Sequence, residues 1–149
     1  MYGKDLARKE FRWEECAKQG SAYQTPYKDG MFDFIMAINS IENIVNSVWT
    51  GTEVEEHRDY QLTEDQREEA GRKLFAELDR ILKPRGRLYL STWTGNDESR
   101  VYPYCFIWEE LKSFADGTRL RVAAGPGYYP WQHADGKNED MLFAVFEKC

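Results

Sequence analysis

The chain has 149 residues, a net charge of −6, and 42% apolar and 15% aromatic content. That length suits one domain with a core of its own, and the aromatic content excludes an intrinsically disordered chain. The acidic balance argues against nucleic acid or an anionic membrane as a charge-driven partner, and no apolar run approaches the roughly 20 residues of a membrane span.

The hydrophobic pattern alternates between helical and strand periods, which predicts an α/β fold. Leu6 to Lys18 reads as a helix with Leu6, Trp13, Cys16 and Ala17 close to one face and Gly20 as its stop. Ala22 and Tyr23 read as a short strand, and Asp29-Gly30 as a turn. Met31 to Ile38 (MFDFIMAI) is almost continuously apolar, the pattern of a strand buried on both faces of a parallel sheet. Asn39-Ser40 ends it, a short helix over Ile41 to Trp49 follows, and Thr50 to Gln61 is a polar surface segment.

Thr63 with Gln66 three positions later is a capping-box pattern. Behind it, Ala70, Leu74, Leu78, Ile81 and Leu82 line one helical face, with Glu64, Arg67, Glu68, Lys73 and Glu77 outside. Pro84 and Gly86 stop this helix, and Arg87 to Trp93 (RLYLSTW) is a second strong strand. Ile107 to Ala115 predicts another short helix, and Leu120 to Ala124 a strand. Gly125 to Asp140 reads as an aromatic loop, and Met141 to Lys148 as a last strand able to pair antiparallel with Leu120 to Ala124. Cys16, Cys105 and Cys149 lack paired spacing, which predicts reduced thiols and a cytoplasmic protein. His57 and His133 stand far apart, so no metal is expected.

Three stretches carry a family resemblance. The first is Thr25-Pro26-Tyr27-Lys28-Asp29-Gly30-Met31-Phe32-Asp33-Phe34-Ile35, and the second is FAELDRILKPRGRLYL from Phe75 to Leu90. The third is Phe106-Ile107-Trp108-Glu109-Glu110-Leu111 with Gly117 and Leu120-Arg121-Val122. In this order they resemble the fourth strand, the helix–"LKPGG"–fifth-strand unit and the late helix and strand of class I S-adenosylmethionine-dependent methyltransferases. The resemblance implies a truncated Rossmann-like sheet, mostly parallel with an antiparallel last strand. It also implies S-adenosylmethionine as cofactor and methyl transfer to a small-molecule or unidentified acceptor. The family's Gly-rich first strand and turn is not found in the sequence. Residues 1–149 are therefore expected to form a single methyltransferase-like unit or the carboxyl-terminal portion of one. A second copy, or a partner chain, would be a way of completing the sheet.

The same resemblance places site residues. Tyr2-Gly3-Lys4-Asp5-Leu6-Ala7 is similar to the end of the family's second strand, so Gly3 and Asp5 would face the cofactor, Asp5 accepting from its ribose hydroxyls. Asp5 equally suits a helix N-cap before Leu6. Asn39 and Ser40 would pass the cofactor near its reacting methyl, or would cap the next helix; Gln24 would meet the adenine edge, or be a solvated turn residue. Glu42 is a candidate for orienting a substrate, or a residue that suits the helix dipole. His57 and Tyr60 are candidates for a general base or positioner, or surface residues. Tyr128, Tyr129 and Trp131, with His133, suit a substrate lid or interface, or a hairpin loop packed on the sheet edge. Transfer of a methyl group needs in-line positioning more than acid–base chemistry, so the absence of a catalytic dyad is compatible with it. The rival reading is a methyltransferase-like scaffold acting as a non-catalytic binding or assembly partner.

Overall fold

In the computed structural model, residues 20–46, 63–94, 105–132 and 138–149 are described. The elements are β1 (Phe32–Ile38), α1 (Ile41–Asn46), α2 (Glu64–Ile81), β2 (Leu82–Thr94), α3 (Trp108–Phe114), β3 (Leu120–Gln132) and β4 (Asn138–Lys148). The helix read over Leu6 to Lys18 and the segment Thr50 to Gln61 lie outside the described residues.

The four strands form one sheet in the order β1-β2-β4-β3. β1 and β2 are parallel, with Ile35 opposite Leu88 and Ala37 opposite Leu90. β4 runs antiparallel to both β2 and β3. The expectation of a mostly parallel sheet is thereby corrected: among the described residues one of the three strand pairs is parallel. The physical reason is connectivity. A parallel pair needs a long crossover, supplied here by α1 and α2, whereas β3 and β4 follow one another as a hairpin whose second strand inserts beside β2.

Local chemistry accounts for the elements. Gln66 N–H donates to Thr63 Oγ1 at 3.3 Å and Thr63 N–H to Gln66 Oε1 at 3.0 Å, so the capping box starts α2. Gly30 supplies the positive φ of 60° at the turn into β1. Its N–H donates to the Arg80 carbonyl at 2.9 Å, and Met31 N–H to that of Ile81 at 2.7 Å, which joins the start of β1 to the end of α2. Ala22-Tyr23 form no strand; only an isolated bridge joins Ser21 to Gln24.

Helices α2 and α3 cover one face of the sheet. There Leu74, Phe75, Leu78, Leu88, Leu90, Phe114 and Phe146 bury together with Ile41 and Val45 of α1. Phe75 meets Phe114 and Phe146 edge-on at 5.8 and 5.5 Å between centroids, and Phe106 meets Phe114 at 5.5 Å. The opposite face carries Phe34, Met36, Ile38, Tyr89 and Phe143, all exposed. β1 is therefore not buried on both faces as its apolar run predicts: alternate residues, Ile35 and Ala37, turn to the core and the rest turn away. Two residues read as outward-facing on α2 are buried instead. Arg67 lies 4.9 Å from the Phe106 ring and donates to the Cys105 carbonyl at 3.2 Å, and Glu77 is held by Thr25 and Arg80. No described helix is long and apolar enough to cross a membrane.

Candidate functional site

In open α/β sheets ligands bind beyond the carboxyl ends of the strands. For the parallel pair β1–β2 that end is built from Asn39, Ser40, Ser91 and Thr92, with α1 rising from it. Asn39 has φ 45°, in the left-handed region that asparagine tolerates better than most residues. Its N–H donates to the Ser91 carbonyl at 2.9 Å, and Ser91 Oγ donates to Asn39 Oδ1 at 3.2 Å. The two contacts carry strand pairing one residue past β1 and fix the amide. Ser40 begins α1, its carbonyl accepting from Ile44 N–H at 2.9 Å, and both Asn39 and Ser40 are half-buried.

Glu42 turns inward. It is 2% exposed and accepts from Thr92 Oγ1 at 2.7 Å, which ties α1 to β2. Burial raises its carboxyl above the ordinary range, and the Thr92 hydrogen bond opposes that shift. Tyr23 donates from its hydroxyl to the Ile44 carbonyl at 2.6 Å, so the Ser21–Gln24 bridge sits beside α1. Gln24 is exposed there, and its N–H donates to the Ser21 carbonyl at 3.3 Å.

The aromatic stretch is strand, not the loop read from Gly125 onward. β3 continues to Gln132, with Tyr128 opposite Leu142, Tyr129 opposite Met141 and Trp131 opposite Glu139. Met141 in turn pairs with Trp93 of β2, so Tyr128 and Tyr129 stand at the same end of the sheet as Asn39. They are 55% and 58% exposed, and about 14 Å, three interstrand spacings, separates β3 from β1. The extension arises because β4 begins at Asn138 and offers partners that Gly125 and Gly127 allow β3 to reach through two register shifts. The side chain of Trp131 is outside the description, as are Gly3, Asp5, His57, Tyr60 and His133.

The structure thus brings Asn39, Ser40, Glu42, Tyr128 and Tyr129 to one end of the sheet, whereas Gln24 precedes Thr25, which Glu77 and Arg80 of α2 hold. Ser91 is the residue that the sequence reading missed. Its neighbours Thr92, Trp93 and Thr94 are marked by the strand-end rule, but Ser91 falls inside the strand and its contact with Asn39 arises from register alone.

No protein-family model and no curated protein matches the sequence. Solved structures do match. A SAM-dependent methyltransferase from Methanosarcina mazei superposes with a TM-score of 0.63 at 14% identity, covering 88% of this chain and 66% of that one. Geranyl diphosphate C-methyltransferase from Streptomyces coelicolor, solved with Mg2+, geranyl diphosphate and S-adenosyl-L-homocysteine, gives 0.54 at 14% identity over 89% of this chain and 52% of its own. The [4+2]-cyclase SpnF gives 0.53 at 13% identity over 88% and 54%. The chain spans 66% or less of the length of these three proteins. At such identities the likeness establishes the fold, that of class I S-adenosylmethionine-dependent methyltransferases, and a fold hosts more than one chemistry.

Proposed function

We propose that this chain transfers a methyl group from S-adenosylmethionine to a small-molecule acceptor, as a single unit or as the carboxyl-terminal portion of a longer enzyme. The observation that carries the reading is the fixed Asn39 amide at the carboxyl end of β1, locked by Ser91 at the edge of a sheet of this fold. The donors there, Asn39 and Ser40, and Gln24, which would meet the adenine edge, are neutral amides and a hydroxyl. They suit the adenosine and amino-acid parts of S-adenosylmethionine, whose own charges are spread over a zwitterion and a sulfonium. Among the described residues the one carboxylate at this end of β1, Glu42, is turned inward onto Thr92, so the ribose-binding role remains with Asp5, beside Gly3.

When bound, the cofactor supplies an electrophilic methyl on sulfur; the protein's work is positioning. Asn39 and Ser40 would hold it at the β1 end, with Ser91 fixing the amide. Tyr128, Tyr129 and Trp131 would meet the acceptor, and Glu42, turned inward onto Thr92, would act on it by holding α1 against β2. His57 or Tyr60 would orient the acceptor or take its proton.

Calorimetric titration of the chain with S-adenosylhomocysteine tests this. Binding is expected, and Asn39→Ala is expected to weaken it about tenfold, the loss of one or two hydrogen bonds. Absence of heat up to millimolar ligand would overturn the reading. It would favour the alternative of a non-catalytic assembly partner, to which the exposed Phe34, Met36, Ile38 and Phe143 side chains also point.

A further inference from the structure

In the pair formed by Ser91 and Asn39, one arrangement alone satisfies the buried member. Ser91 is 0% exposed, and among the described residues its hydroxyl has a single hydrogen-bond partner, the Asn39 side chain at 3.2 Å. Away from water the hydroxyl proton needs an acceptor, because an unmet donor costs more than an unused lone pair. The amide oxygen is that acceptor. With the amide turned over, Nδ2 would donate to the Ser91 oxygen and the hydroxyl proton would have no partner. The amide is therefore held with Oδ1 toward Ser91 and Nδ2 on the other side of the group. Asn39 is half-buried, so the part of this pair that solvent reaches belongs to it. The backbone oxygens of the turn are engaged as well. The Asn39 carbonyl accepts from Asn43 Nδ2 at 3.5 Å, and the Ser40 carbonyl from Ile44 N–H at 2.9 Å. Glu42 is turned onto Thr92. Among the described residues no acceptor meets Asn39 Nδ2, which stands as a hydrogen-bond donor at the carboxyl end of β1.

We infer that Ser91 sets the polarity of this end of β1: it takes the amide oxygen of Asn39, so that the ligand atom met by Asn39 is an acceptor. The inference rests on the reading of S-adenosylmethionine as the ligand. It assigns Asn39 to a carboxylate oxygen of the amino-acid part or to a lone pair of the adenosine part, and excludes the ammonium and the adenine amino group, which carry donors only. Being fully buried, Ser91 is a positioning residue that acts through Asn39.

The test is calorimetric titration of the full chain with S-adenosylhomocysteine and with 5′-methylthioadenosine, which lacks the amino-acid part. Asn39→Asp has nearly the same size and still offers Ser91 an oxygen, but it replaces the Nδ2 donor by a second acceptor. S-adenosylhomocysteine is expected to bind Asn39→Asp about a hundredfold more weakly than the unaltered chain, beyond the loss in Asn39→Ala, because two acceptors then face each other. Undiminished binding by Asn39→Asp, or a loss smaller than that of Asn39→Ala, overturns the assignment, since a donor on the ligand would gain from the change. A loss with S-adenosylhomocysteine alone supports it and identifies the carboxylate; a loss with both ligands supports it and identifies the adenosine part. Ser91→Ala frees the amide to turn over and should weaken S-adenosylhomocysteine about threefold, and Ser91→Thr, which keeps the hydroxyl, should bind more tightly than Ser91→Ala. A lowered urea midpoint in Ser91→Ala with unchanged affinity would make Ser91 structural alone and overturn its role. The two readings fail separately. No binding by the unaltered chain defeats the cofactor reading and this inference with it, whereas binding that Asn39→Asp leaves intact defeats the inference alone.

Discussion

Glu77 sits on the outward side of α2 by helical counting, yet it is 7% exposed. Its Oε1 accepts from Thr25 N–H at 2.7 Å and Thr25 Oγ1 at 2.6 Å, and Arg80 donates to both carboxylate oxygens at 2.8 Å. Arg80 also reaches Asp29 at 2.6 Å, so one carboxylate and one guanidinium fasten the approach to β1 onto α2. The Arg80 hydrogen bonds, assisted by those of Thr25, hold the Glu77 carboxyl at about 2, well below the ordinary carboxylate range. A folded-state value below the unfolded one stabilises the fold above the unfolded pKa, and that contribution is lost as pH falls toward the folded one. Stability is therefore expected to drop by about 3 kcal/mol between pH 5 and 2 through this group, and Glu77→Gln should flatten that limb. Urea unfolding as a function of pH measures it; identical acid limbs for the two proteins would sink the assignment. Helical period does not reveal the burial of Glu77, because it registers polarity, whereas the burying partner is a loop 52 residues away in sequence.

At the level of elements, the contact between α2 and α3 is set by an absent side chain. A Cβ on Gly71 would lie 2.4 Å from the Phe114 ring, which is buried against Phe75 and Phe106 and has no room to withdraw. Gly71→Ala is therefore expected to destabilise the protein by about 1–2 kcal/mol, although alanine is the better helix former by about 1 kcal/mol. A lowered urea midpoint checks this, and a raised one would show that the two helices can move apart without cost. The α2 start at Thr63 and its apolar stripe were legible because both are local: a cap bonds three residues on, and the stripe follows from 3.6 residues per turn. β1 was legible as a strand but not in its exposure. An unbroken apolar run reads the same whether one face or two are covered, and which face α2 takes depends on the crossover.

On the scale of the whole molecule, Lys148 closes the structure. It is nearly the last residue, it is buried, and its Nζ donates to the carbonyls of Asp79 and Leu82, the latter at 2.6 Å. Those carbonyls end α2 and begin β2, so a cation satisfies helix-end acceptors and pins β4 to the centre of the sheet. Lys148→Met keeps the aliphatic stem and leaves both carbonyls without this donor. A loss of about 2 kcal/mol is expected, read as a lower urea midpoint at unchanged slope. The α/β class, the order of the elements from Met31 onward, the long capped helix and the final antiparallel hairpin were readable in the residues alone, since periodicity, caps and turn chemistry act over a few positions. The resemblance carried by Thr25 to Ile35 and Phe75 to Leu90 agrees with the fold that the comparisons find. The balance of parallel and antiparallel pairs, the strand character of Tyr128 and Tyr129, the Ser91 lock on Asn39 and the inward turn of Glu42 rest on cross-strand register and on where β4 inserts. Those are relations between segments some 50 residues apart or between neighbouring strands of one sheet. They have no local signature, because the energy that selects them is the burial of one shared core.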